Sequence, residues 1–215
     1  MKLLFPGSVL GPRTFADVVR AGEGEGNGLL VYVGGAVSER EYSTRRETAP
    51  TRIESLVESS GVPVPVLVIS APPALSGRPD AATAPFTRHV LGELLPALPF
   101  RPREIGLVGF SLGGSLAVLM TRFLPIPVRA LSVVGGVGLA EALAAPGLPA
   151  DALPCPVHVA CNVDDPCLPH ALAFQRVLLD AGTLVAVTTG PGGHAFEDYE
   201  RNGLLREALR FAAVR

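Results

Sequence analysis

The sequence predicts an α/β protein: a three-layer α/β/α sandwich with a mostly parallel central sheet. Three observations carry this. Apolar runs of strand length alternate with segments of helix length along the chain. The strand runs are near-continuous in Val, Ile and Leu, the mark of strands covered on both faces. The 215 residues are 48% hydrophobic and 18% charged, enough apolar matter to bury one sizeable core. No repeat, low-complexity tract or interdomain linker interrupts the pattern, so residues 1–215 are expected to form one domain.

The elements follow in order. "GLLVYVGG" (28–35) is a strand ending in two glycines, and "TAPTRIESLVESSG" (48–61) contains a helix closed by Gly61. "VPVLVISAPP" (64–73) is a second strand, its prolines near the ends where a sheet tolerates them. "FTRHVLGELLPAL" (86–98) is a helix with an internal Gly and a late Pro. "EIGLVGF" (104–110) and "LGGSLAVLMTRFL" (112–124) are a strand and the helix that follows it. "RALSVVGG" (129–136) and "CPVHVACNV" (155–163) are further strands. Between them, 136–154 is expected to be a small lid helix or a long crossover. "LPHALAFQRVLLDAG" (168–182) is a helix ending at Gly182, and "TLVAVTTG" (183–190) is the sixth strand. "NGLLREALRFAAVR" (202–215) closes the chain as an amphipathic helix, with Leu204, Leu205, Ala208, Leu209 and Ala212 on one stripe.

Composition narrows the partners. A formal net charge of −2, with 18 Lys and Arg in no dense block, argues against nucleic acid or an anionic membrane surface. The apolar runs are too short or too broken for a membrane span, and "MKLLFPGSVLG" is too short in apolar length for a signal peptide. A cytoplasmic location is expected. Cys155, Cys161 and Cys167 are odd in number and lack a tight Cys-x-x-Cys pair, so they are expected to be buried thiols rather than disulfides or zinc ligands.

The chemistry centres on "GLVGFSLGGSLAVLM" (106–120), where Ser111 stands between Gly109 and Gly113. The Gly-x-Ser-x-Gly pattern also fits a glycine-rich bend that binds a phosphate or nothing at all. Its setting favours a nucleophile. An apolar strand leads in and a small-residue helix leads out, so a serine on a strained turn would project its hydroxyl at the sheet's C-terminal edge. Small neighbours clear the space such a turn needs.

The elbow "GFSLGG" resembles that of the small esterases and thioesterases of the α/β-hydrolase superfamily. The resemblance extends over nearly all of 28–215. It implies an order along the chain: the serine, an acid after a later strand, a histidine after the last strand. Four histidines compete for the base. His89 precedes the elbow, His158 lies inside a strand, and His170 begins a helix. His194, in "TTGPGGHAFED" directly after the last strand, has the implied place and looks like the family's Gly-x-x-His loop. For the acid, Asp164 and Asp165 both follow "VHVACNV". Asp165-Pro166-Cys167-Leu168-Pro169 matches a spacing common in the family, and Pro166 locks the turn, so Asp165 is preferred.

The oxyanion hole implied by the resemblance takes one donor from the backbone N–H of Leu112 and a second from the loop after the early strand. Family members often carry His-Gly there. This chain has Val33-Gly34-Gly35, which points to Gly35 without the histidine. The polar stretch "SEREYSTRRETAP" beyond it reads as a mixed-charge surface, with Arg40, Arg45 and Arg46 only weakly suggestive of an acidic substrate.

The function implied is a cofactor-free, metal-free serine hydrolase. It would cleave a small-molecule carboxylic ester or thioester through an acyl-enzyme on Ser111. With no sizeable insert after the fourth strand, modest acyl chains are expected. Two alternatives stay open: a non-catalytic binding protein on the same scaffold, and an acyltransferase or perhydrolase using the same residues.

Overall fold

Eight strands line up in the order β1-β2-β4-β3-β5-β6-β7-β8 in a computed structural model that describes residues 1–5, 8–10, 14–20, 28–35, 52–69, 79–145 and 153–213. Six of them run parallel: β3 (Gly28–Val33), β4 (Val66–Ile69), β5 (Glu104–Phe110), β6 (Val128–Val134), β7 (Val157–Asn162) and β8 (Val185–Gly190). These are the six runs legible in the sequence. β1 (Lys2–Phe5) and β2 (Thr14–Arg20) add an antiparallel pair at one edge, which the sequence analysis did not anticipate.

The continuous apolar runs of β3 to β7 are buried on both faces, as their composition requires, whereas β8, at the far edge of the sheet, has no buried residue despite its similar run. All six residues of β3 are buried. Leu29, Val31 and Val33 face one hydrophobic cluster, while Leu30 and Tyr32 face the other. The first cluster is covered by α2 (Pro79–His89), α4 (Leu112–Phe123), α5 (Leu139–Leu143) and α6 (Leu168–Asp180). Helix α1 (52–60), α7 (Phe196–Arg201) and α8 (Leu204–Ala212) cover the second. The result is the expected α/β/α sandwich.

Helix α8 shows how pattern becomes packing. Its stripe of Leu204, Leu205, Ala208, Leu209 and Ala212 is buried. Each buried Leu there contributes about 1.5–3 kcal/mol. At the end of this stripe Gly106 of β5 lets the helix touch the sheet, since a methyl on Gly106 would overlap the Ala212 carbonyl.

Helix α2 begins earlier than its apolar pattern and continues through a π turn, Val90–Leu94, into a last turn, α3 (Leu95–Ala97). The Leu95 N–H reaches back five residues to the Val90 carbonyl. Within 136–154, Leu139–Leu143 forms the short helix α5, and 146–152 lie outside the described residues. Arg122 of α4 donates to the Ala142 and Leu143 carbonyls and so satisfies the end of that helix. The polar stretch 38–50 with Arg40, Arg45 and Arg46 also lies outside them, as do 70–73 and 214–215. No helix among the described residues is long and apolar enough to cross a membrane.

Candidate active site

Ser111 sits on the turn between β5 and α4 with φ 55° and ψ −125°. It is the only non-glycine residue with positive φ among the described residues. Such a conformation costs about 1–3 kcal/mol and persists only where its surroundings fix it. Here its N–H donates to the Val134 carbonyl at 2.9 Å, and its carbonyl accepts from Gly114 N–H at 2.9 Å.

The flanking glycines have a steric reason. A Cβ on Gly109 would lie 2.6 Å from the Gly114 Cα. One on Gly113 would lie 2.6 Å from the Gly34 carbonyl oxygen, with the Val33 oxygen closer still. The helix therefore starts against the end of β3, and only hydrogen fits at the contact.

The same closeness brings Gly35 to the turn: a Cβ there would be 2.9 Å from the Ser111 Cβ. The Gly34 N–H is taken by the Ile69 carbonyl at 2.8 Å. Gly35 N–H has no acceptor among the described residues. The Leu112 N–H opens α4, where the first turn has no intrahelical acceptors. These two amides flank the serine, at the positive end of a helix dipole.

His194 lies on the glycine-rich loop between β8 and α7. Its Nδ1–H donates to Asp165 Oδ2 at 2.8 Å, which leaves Nε2 to accept the Ser111 hydroxyl at 2.9 Å. The imidazole stacks on Phe110, with centroids 5.6 Å apart and planes 21° apart. The loop is tied down by Asn162, whose amide donates to the Gly193 carbonyl at 2.9 Å, and by Asp198, which accepts the Gly193 N–H at 3.0 Å.

Asp165 is 3% exposed, at the turn after β7. Its Oδ1 accepts the Cys167 N–H at 2.7 Å, and its Oδ2 accepts the Tyr199 hydroxyl at 2.5 Å besides His194. Burial pushes this carboxyl up, but the hydrogen bonds from Tyr199, Cys167 and His194 outweigh it and hold the group below its ordinary value. Asp164 next door is exposed, and its backbone N–H bonds to the Gly192 carbonyl. Of the sequence candidates, Ser111, His194 and Asp165 are thus in contact, with Leu112 and Gly35 beside the serine. The other three histidines lie elsewhere: His89 on Ser8 and Glu93, His158 between Ser132 and Thr188, and His170 exposed on α6.

Sequence reasoning missed Tyr199, Phe110 and Asn162. Tyr199 had one signal, an aromatic set among the charged residues of "EDYER". Asp165, Cys167 and His194 also present ligand atoms within 4.8 Å of one another. Burial and the neighbouring carboxylate push the Cys167 thiol up to about 12, so the thiol keeps its proton near neutral pH.

No family model and no curated protein matches the chain. Solved structures do. A fluorophosphonate-binding serine hydrolase of Staphylococcus aureus, FphF, aligns with a TM-score of 0.69 at 13% identity over 100% of this chain and 98% of its own. A ferulic acid esterase gives 0.67 at 12%, over 99% and 96%. The S-formylglutathione hydrolase FrmB of S. aureus gives 0.66 at 12%, over 100% and 96%.

Proposed function

We propose that this chain, which has the α/β-hydrolase fold, is a cofactor-free serine hydrolase that cleaves carboxylic esters or thioesters. One observation carries the reading. A serine held at φ 55° has its hydroxyl 2.9 Å from His194 Nε2, while the other nitrogen of that ring lies 2.8 Å from a buried carboxylate.

In the proposed reaction His194 Nε2 takes the Ser111 proton as Oγ attacks the acyl carbon. The carbonyl electron pair moves onto oxygen, where the Leu112 and Gly35 N–H groups stabilise it. Asp165 stays ionised, holds the imidazole tautomer and stabilises the imidazolium. Collapse expels the alcohol or thiol, which takes the proton from Nε2, and leaves an acyl group on Ser111. Water, deprotonated by His194, then attacks that ester and releases the acid. The ester and S-acyl compounds in the names of the structural neighbours support this substrate class.

A fluorophosphonate probe tests the reading. It is expected to label folded protein at Ser111, and Ser111→Ala is expected to lose both labelling and hydrolysis of p-nitrophenyl esters. Folded protein that stays unlabelled and inactive overturns it.

A further inference from the structure

We propose that Tyr199 is a positioning residue of this site: its buried hydroxyl holds the Asp165 carboxylate in the plane that orients His194. For its kinetic consequence the inference rests on the hydrolase reading. For its effect on the Asp165–His194 pair it rests on geometry alone.

Tyr199 is completely buried on α7. A phenol has one proton to give, and here its direction is decided. The Asn162 backbone N–H donates to the Tyr199 oxygen at 3.1 Å, so that oxygen serves as an acceptor on one side. The phenol proton then has two acceptors in reach, Asp165 Oδ2 at 2.5 Å and Cys161 Sγ at 3.6 Å. The carboxylate is the stronger and nearer acceptor.

Asp165 Oδ2 therefore receives Tyr199 O–H and His194 Nδ1–H together, while Oδ1 receives the Cys167 N–H. Three donors fix the carboxylate plane. Two of them come from the single stretch after β8, so the residue that aims the acid and the residue the acid aims are carried together.

A second observation singles out this contact. Gly135, after β6, has φ +53°, and a Cβ there would lie 2.8 Å from the Tyr199 oxygen and 3.1 Å from Asp165 Oδ2. The chain keeps a glycine where any side chain would press on the Tyr199–Asp165 pair. Phe110 packs against both Tyr199 and His194, edge-on to the first at 5.6 Å and stacked on the second at 5.6 Å.

The consequence is a direction in pH. The titratable groups facing Asp165 among the described residues are His194, Tyr199 and Cys167, with Cys161 behind Tyr199. Removing the Tyr199 proton leaves more negative charge on Oδ2, opposite His194, and favours the imidazolium. It also makes Asp165 harder to ionise. Both effects move the acid limb of kcat/KM to higher pH.

The test compares Tyr199→Phe with 3-fluorotyrosine at position 199, which keeps the packing and makes the phenol a stronger donor. Two readouts are taken: the pH profile of p-nitrophenyl acetate hydrolysis, and the midpoint of the His194 ring by NMR titration. The Phe variant is expected to move limb and midpoint up, with kcat about tenfold lower and KM little changed, the loss of one hydrogen bond to a charged group. The fluorinated residue is expected to move both down. Limb and midpoint unmoved in both proteins would overturn the inference. A Phe variant that fails to fold leaves the decision to 3-fluorotyrosine. Unmodified protein with neither hydrolysis nor probe labelling defeats the hydrolase reading, and the NMR midpoints then decide the role of Tyr199.

Discussion

Asp164 and Asp165 are adjacent in sequence and opposite in environment. Asp165 is buried and accepts three hydrogen bonds, whereas the Asp164 side chain is exposed. If Asp165 stabilises an imidazolium, Asp165→Asn removes that charge without changing shape, and kcat is expected to fall about 10³–10⁴-fold. Asp164→Asn is expected to stay within a few-fold. Steady-state hydrolysis of a p-nitrophenyl ester by both variants checks this, and the reverse ranking would refute the role. The preference for Asp165 was legible because Pro166 fixes the backbone after it, and the Cys167 N–H then closes an Asx turn on its carboxylate. Tyr199 was not legible. Its partner is 34 residues away in sequence, and its own helix has only that one buried residue, so no periodicity marks it.

At the level of elements, the turn from β5 to α4 is held open by absent side chains. Gly113→Ala places a methyl against the Val33 and Gly34 carbonyls, which are backbone and cannot step aside. A loss of about 1–3 kcal/mol in stability is expected, read as a lower urea midpoint. Gly92 in the π turn is the matched control. A Cβ there meets nothing within 4 Å, so Gly92→Ala is expected to be neutral or to stabilise by up to about 1 kcal/mol. Equal losses in the two variants would count against the steric account. β3 to β7 were readable because burial on both faces writes itself as continuous Val, Ile and Leu, while β8, half-buried to exposed at the sheet edge, was readable only from its β-branched run. β1 was not, because its residues alternate between exposed and half-buried over only four positions. Helix α7 was hidden by the glycines that precede it and by its charge. Its start is set by tertiary contacts of Phe196 and Tyr199 with Phe110 rather than by an apolar stripe.

Across the whole molecule, acid stability is expected to depend on a histidine far from the serine in function. His158 is 1% exposed in β7. Its Nδ1 meets Ser132 Oγ of β6 at 2.8 Å, and its Nε2 meets Thr188 Oγ1 of β8 at 3.1 Å. From α8, Phe211 packs on the ring and Glu207 approaches Nε2 at 3.6 Å. Burial pushes His158 down, and Glu207 pulls it back only in part, so the folded group titrates below the ordinary 6.5. The sign follows from proton counting. Below 6.5 the unfolded chain binds a proton at this position that the fold resists, so stability falls as pH falls through that interval. Asp165 adds a second loss lower down. Its folded carboxyl titrates below 3.8, so its contribution is complete above that value and disappears as pH drops through the folded one. Urea midpoints at pH 7.5, 6.5 and 5.5 are therefore expected to decline, above the range in which Asp165 titrates. His158→Gln keeps a donor and an acceptor between Ser132 and Thr188 without the titration, and is expected to flatten the decline between pH 7.5 and 5.5. A variant as steep as the parent there would show that the acid sensitivity arises from another group.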